Sequence, residues 1–308
     1  MRSSAHSRIL TEAESERRSL RHETLFAAML AALLSVLAFA YCYPRGMLLL
    51  YGDAVAHLHI ARRVLDSLNP GIRQLGSVWL PLPHLLLIPF AARMDWWQSG
   101  VAGAIPSMLF YVLSVAGIYR LARFWLPPSG GIVAALLFGA NPGLLYMQTT
   151  AMTEPLFLCE VIWSVLLLVA HLRALHSGQA KHAGRLLAGL GLVLVAAIFT
   201  RYDGWILACF AWLIVLRGIW KARAWSSEAG GAFVLFTAMI AAAPLLWLIW
   251  NARQFGDPLD FMRGPYSAKA IEARTATPGS PHYPGWHSMR VAALYFLKAA
   301  ELGAAPLR

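Results

Sequence analysis

Residues 186–216 read LLAGLGLVLVAAIFTRYDGWILACFAWLIVL. Read as one membrane crossing, the run is too long and carries Thr200-Arg201-Tyr202-Asp203-Gly204 at its middle. It would also put the basic stretch Arg217, Lys221 and Arg223 opposite Arg173, Lys181 and Arg185. Two antiparallel spans, Leu186–Thr200 and Gly204–Leu216, keep all six cations on one side, as the positive-inside rule requires. Each arm falls short of the roughly 20 residues that a full crossing needs. The arms therefore extend into flanking residues or lie partly within protein, and the hairpin between them sits sunken toward the hydrocarbon. Polar backbone at that depth is tolerated only where protein or a watery cavity surrounds it.

The rest of the chain fits the same solvent. Of 308 residues, 58% are hydrophobic and 13% charged, against roughly 45–50% and 25% in soluble domains. Mean hydropathy is +0.56. A single soluble core cannot hide that much apolar surface, and a disordered chain would not contain it. The predicted fold is all-α: a polytopic membrane helix bundle. Five further runs read as spans: Leu25–Tyr43, Val101–Ile118, Gly130–Met147, Leu156–His171 and Gly231–Trp250. With the two arms above, the total is about seven. The first run carries a cleavage-like Ala38-Phe39-Ala40, but it is 19 uncharged residues long behind a glutamate-bearing segment. Signal peptides have shorter apolar cores, so an uncleaved span is expected.

The net charge of +11 would raise nucleic acid as a partner for a soluble protein. Here the cations fall in short gaps between apolar runs and read as topology signals, with no basic-aromatic nucleic-acid module. Their bias predicts a cytoplasmic N-terminus. Cys42, Cys159 and Cys209 are isolated and form no metal-ligand or redox spacing.

Fifteen acids are present, four of them before residue 24. On the predicted topology Glu228 is cytoplasmic, Glu160 lies within a span, and the others face the outer side. Asp53–Leu68 has helical periodicity, with Ala54, Leu58, Ala61, Leu65 and Leu68 on one face and His59, Arg62, Arg63 and Asp66 opposite. That pattern predicts a helix lying in the interface plane. Asp53 is either a general base or metal ligand at the membrane surface, or simply the cap of that helix. His57, one turn on, is at the rim between the faces. Val78–Ala92, broken by Pro81, Pro83 and Pro89, reads as a second interfacial or re-entrant helix, followed by Trp96-Trp97 at headgroup level. Thr153-Glu154-Pro155 opens another span; Thr153 suits a cap, and Glu154 either favours the helix dipole or is functional. Glu160 is an intramembrane carboxylate that points away from Glu154 and reads either as functional or as a helix-packing contact. Arg201 is a cation in a very short outer loop, which either anchors a phosphate or pairs with Asp203.

In this order, the motifs resemble the GT-C superfamily of polytopic glycosyltransferases: an N-terminal span, Gly52-Asp53 in an outer loop, two interfacial helices, Thr153-Glu154-Pro155, then the Thr200–Gly204 hairpin. The nearest branch is the bacterial one around lipid A aminoarabinose transferases and protein O-mannosyltransferases. The resemblance runs from about Thr24 to about Ala268. It implies an inverting transfer of a sugar from a polyprenyl-phosphate donor to a lipid, glycan or protein acceptor. The reaction would take place at the outer face of a bacterial cytoplasmic membrane. It implies catalytic roles for Asp53 and Glu154 and a donor-phosphate role for Arg201, with His57, Tyr202 and Asp203 as further substrate-binding candidates. A divalent metal bridging Asp53 and Glu154 is compatible with the resemblance, although many such enzymes work without one. Family members often carry paired acids in the first loop, whereas Asp53 is followed by Ala54.

The chain divides into a polar tail (1–23), a membrane domain (24–250, first outer loop 44–99) and an outer segment with a partial helix (251–308). Family members are usually longer, so the resemblance implies a C-terminally shortened chain. A secondary transporter is the competing reading, disfavoured by acids gathered at one rim and by the absence of a visible repeat. A non-catalytic membrane assembly subunit is the third.

Overall fold

A computed structural model describes residues 2–225, 227–276 and 285–304. Among them there are helices and no strands. In chain order the helices are α1 (Arg2–Cys42), α2 (Gly52–Leu65), α3 (Pro81–Ala91), α4 (Met94–Ser99), α5 (Val101–Ala122), α6 (Pro128–Gly139), α7 (Pro142–Met147), α8 (Glu154–His176), α9 (Ala180–Thr200), α10 (Asp203–Lys221), α11 (Glu228–Phe255), α12 (Asp260–Arg263), α13 (Ala268–Thr275) and α14 (Met289–Ala304). Six stretches are long and apolar enough to cross a membrane: Glu14–Arg45 and the helices α5, α8, α9, α10 and α11.

The centre of the bundle is α9. Leu187, Leu190, Leu194 and Ile198 recur at helical spacing and are at most 1% exposed. They pack with Val215 and Ile219 of α10 and Phe236 of α11. Both short arms read from the sequence gain length at the end away from the hairpin: α9 begins at Ala180 and α10 ends at Lys221. Only Arg201 and Tyr202 separate them. Gly204 lies directly on the Ala197 carbonyl, so a side chain there would collide with backbone.

The run Gly130–Met147, expected as one span, is two helices. Pro142 has no N–H to bond Phe138, and the ladder stops there. Asn141 caps the new start, its Oδ1 accepting from the Leu144 N–H at 3.1 Å. The Gly139 carbonyl freed at the break accepts from the Tyr111 hydroxyl at 2.7 Å, which is how a broken membrane helix satisfies its backbone. The structure also carries α1 as one helix from Arg2. In it, Glu23 accepts from the Tyr119 hydroxyl at 2.5 Å and pairs with Arg123 at 3.1 Å, tying α1 to α5.

The helix α2 is shorter than its periodicity suggests, ending at Leu65. Its apolar face does not meet lipid. Ala54, Leu58 and Ala61 are buried against Leu87 and Ala91 of α3, Ala102 of α5 and Ala151. Leu65 and Leu68, beyond that contact, are exposed. On the opposite side Arg62 donates to the carbonyls of Ala91 and Ala92 at 2.9 Å each, closing the C-terminus of α3.

Candidate active site

Four chain segments meet around one cavity of about 340 Å³. They are the start of α2 (Asp53, His57), the approach to and first turn of α3 (Trp79, Leu80, Pro83), the entry to α8 (Met152, Thr153, Glu154) and the α9–α10 hairpin (Thr200, Arg201, Tyr202, Asp203). All six site residues expected from the sequence line it.

The entry to α8 is held from below. Gln148 accepts from Ser35 of α1 at 2.8 Å, and Ser107 of α5 donates to the Thr150 carbonyl at 2.7 Å. Gly103 of α5 lets the Ala151 backbone come so near that a methyl group would overlap it. Thr153 does not cap α8. Its Oγ1 accepts instead from Arg201 Nη1 at 3.1 Å. The same Nη1 pairs with Glu154 Oε1 at 2.9 Å, and Arg201 Nε pairs with Asp203 Oδ2 at 3.1 Å. The sequence offered phosphate anchoring or pairing with Asp203; the structure makes the pairing and adds Glu154. Arg201 is about one-third exposed, and its Nη2 has no hydrogen-bond partner among the described residues. Glu154 Oε2 is buried without a partner.

Asp53 is not a cap. The N-cap of α2 is Tyr51, with no side-chain cap bond. The Asp53 carboxylate has no hydrogen bond or ion pair among the described residues, and it stands at the cavity edge. Three carboxylates thus line the cavity with one guanidinium. Asp53, Glu154 and Asp203 also occupy the first turns of α2, α8 and α10, where each helix end carries roughly half a positive charge. The partial positive charge of three such ends offsets part of the acid excess.

His57 is 5% exposed and His84 is fully buried. His57 Nδ1 and His84 Nε2 are 2.8 Å apart. Trp79 covers the pair, its ring 4.4 Å from that of His57. Burial pushes His57 down to about 4, against a smaller upward pull from Asp53 and a further lowering by Arg201. Burial and the neighbouring His57 take His84 to about 3. Both rings are therefore neutral at pH 7. A histidine whose folded value lies below its unfolded one stabilises fully above about 6.5, and that contribution fades as pH falls toward the folded value. Thermal unfolding followed from pH 7 to pH 4 should show wild-type stability dropping a few kcal/mol more than that of His57→Gln; equal slopes would show that His57 is not held neutral.

Tyr202 is committed structurally. Its hydroxyl donates to the Val78 carbonyl at 3.0 Å and accepts from Trp247 Nε1 at 3.2 Å. Its ring stacks on Phe261 of α12 at 4.9 Å, and burial raises its pKa. Glu160 lies outside the cavity lining and accepts from Thr200 at 2.8 Å, a contact between α8 and α9. No group of three or more His, Cys, Asp or Glu is placed to hold a metal ion among the described residues. His84, Trp79 and Thr153 were not read as site residues. For His84 a signal existed: a polar ring in an otherwise apolar, proline-broken helix.

The chain is a polytopic all-α bundle whose family match makes it a membrane glycosyltransferase of the GT-C type. Residues 87–253 match the profile of the dolichyl-phosphate-mannose-protein mannosyltransferase family, more than half of the chain, and the chain belongs to that family. No curated protein and no solved structure gives a match. The matched segment contains Glu154, Arg201, Tyr202 and Asp203, whereas Asp53 and His57 precede it.

Proposed function

We propose that this chain moves a sugar from a polyprenyl-phosphate donor to a hydroxyl of a lipid, glycan or protein, inverting the anomeric carbon, at the outer face of a bacterial cytoplasmic membrane. The observation that carries the reading is the convergence of Asp53, Glu154 and Arg201 in one cavity from three separate stretches of chain. The cavity volume of about 340 Å³ is in the range of small-ligand sites. The basic loops on the far side of the bundle support an outward-facing cavity. The division into tail, membrane domain 24–250 and outer segment 251–308 belongs to the same reading.

In this reading Asp53 takes the proton of the acceptor hydroxyl. The acceptor oxygen forms the new bond to the anomeric carbon as the bond from that carbon to the phosphate oxygen breaks. Polyprenyl phosphate leaves with the electron pair. Arg201 Nη2 and the helix ends stabilise its charge, and Glu154 and Asp203 hold the guanidinium in place. His57 contacts a hydroxyl inside the cavity, and Tyr202 fixes the hairpin. A divalent metal at Asp53 and Glu154 is not needed for this scheme.

The deciding experiment supplies purified protein in lipid vesicles with radiolabelled sugar, either on a polyprenyl phosphate or on a nucleotide. Release of polyprenyl phosphate with labelled product of inverted configuration is expected. Turnover of the nucleotide sugar alone overturns the donor assignment. Ion-driven solute uptake without transfer would favour a transporter.

A further inference from the structure

The two buried histidines define a tautomer. Neutral imidazoles joined through one nitrogen each share a single proton across the contact. The 2.8 Å approach of His57 Nδ1 to His84 Nε2 therefore has a donor on one side and a lone pair on the other. The remaining nitrogen of His84 decides which. His84 Nδ1 is buried with no hydrogen-bond partner; because Nε2 is taken by His57, the Leu80 backbone carbonyl one turn earlier, which favours a proton on this ring, bears on Nδ1. A lone pair there would face the lone pairs of that carbonyl, whereas an N–H faces an acceptor. The proton of His84 thus sits on Nδ1, and its Nε2 accepts. His57 must then donate from Nδ1, which leaves its Nε2 bare.

We propose that His84 is a positioning residue that fixes His57 as the Nδ1-protonated tautomer, so that His57 Nε2 meets a substrate hydroxyl in the cavity as a hydrogen-bond acceptor. The inference rests on the reading of this cavity as the transferase site. The groups facing the pair give it a defined setting. Asp53 lies one turn before His57 on α2, and Arg201 lies across the cavity; Arg63 bears on His84 from α2. Trp79 lies against the His57 ring and restricts its rotation. The hydroxyl belongs either to the donor sugar or to the acceptor. Loss of the contact would raise the KM of whichever substrate carries it.

The test has a spectroscopic arm that needs no activity. Protein labelled with ¹⁵N-histidine in lipid nanodiscs is compared with His57→Gln to assign the His57 signals. The expected pattern is a protonated Nδ1 and a bare Nε2 in wild type. His84→Leu, which offers no acceptor, should return His57 to the Nε2-protonated form. His84→Gln offers a side-chain carbonyl and should keep the wild-type pattern. In the transfer assay, His84→Leu should raise one KM about tenfold, the effect of one lost hydrogen bond, with a smaller change in kcat, and His84→Gln should restore it. A wild-type His57 protonated on Nε2, or Leu and Gln variants that behave alike, overturns the proposal. If wild type shows the expected tautomer but no sugar moves, the transferase reading fails and the histidine geometry stands. If His84→Leu does not fold, the wild-type tautomer and the Gln variant still decide.

Discussion

Replacing Asp53 with asparagine is expected to lower sugar transfer about 10²–10⁴-fold, the range for loss of a positioned general base. Asparagine keeps the shape and cannot take a proton. The choice among the three cavity carboxylates follows from their partners. Glu154 and Asp203 are both held by Arg201. Asp53 has no hydrogen bond or ion pair among the described residues, so its lone pairs remain available to an incoming hydroxyl. Because Asp53 is exposed and does not cap α2, the fold should hardly notice the change, and stability should stay within about 0.5 kcal/mol. Initial rates of polyprenyl-phosphate release from purified protein, read beside a thermal melt, check both halves. An Asp53→Asn protein with full activity removes this residue from the mechanism.

The second large effect belongs to Arg201→Ala. Transfer should fall about 10²–10³-fold, as when a preorganised charge stabiliser is deleted, with donor affinity falling further than acceptor affinity. The guanidinium holds Thr153, Glu154 and Asp203 through two of its nitrogens, so Nη2 is left to meet a phosphate oxygen. Lysine carries the charge but not the planar fork, and Arg201→Lys should recover a minority of the activity. Titration with polyprenyl phosphate, monitored by calorimetry, separates the roles. Unchanged affinity for that ligand in Arg201→Ala rejects the phosphate assignment and leaves the residue as a clamp between α8 and α10.

The spans were readable in the sequence because lipid imposes a single demand, long apolar runs with cations on one side. The hairpin at Thr200–Gly204 followed from charge parity alone. Asn141-Pro142 was also visible, but a hydropathy run outweighs one imide, so the break between α6 and α7 was missed; its compensation comes from Tyr111, distant in sequence. The six residues that line the cavity were legible by chemical type. Their partners were not. Thr153 looks like a cap and Asp53 like a cap, because capping is a local rule, whereas Arg201 reaches Thr153 across 48 positions. The sequence marked His84 only as a polar ring in an apolar helix; its hydrogen-bond partner, His57, lies 27 residues away. Of the five positions drawn on the apolar face of α2, Ala54, Leu58 and Ala61 are buried, but against protein, since periodicity reveals that a face is greasy and not what covers it.

The 21 residues of α9 measure about 31 Å at 1.5 Å per residue, close to the roughly 30 Å of a bilayer interior. With a two-residue link to α10, no slack exists to lift Arg201 and Asp203 clear of a thicker membrane. Longer acyl chains would draw these charges below the waterline or force the bundle to lean, each at some expense in free energy. The height of the cavity above the bilayer centre is thereby set by one rod at the middle of the protein, and a thicker or thinner membrane is met by tilt or by local deformation of the lipid.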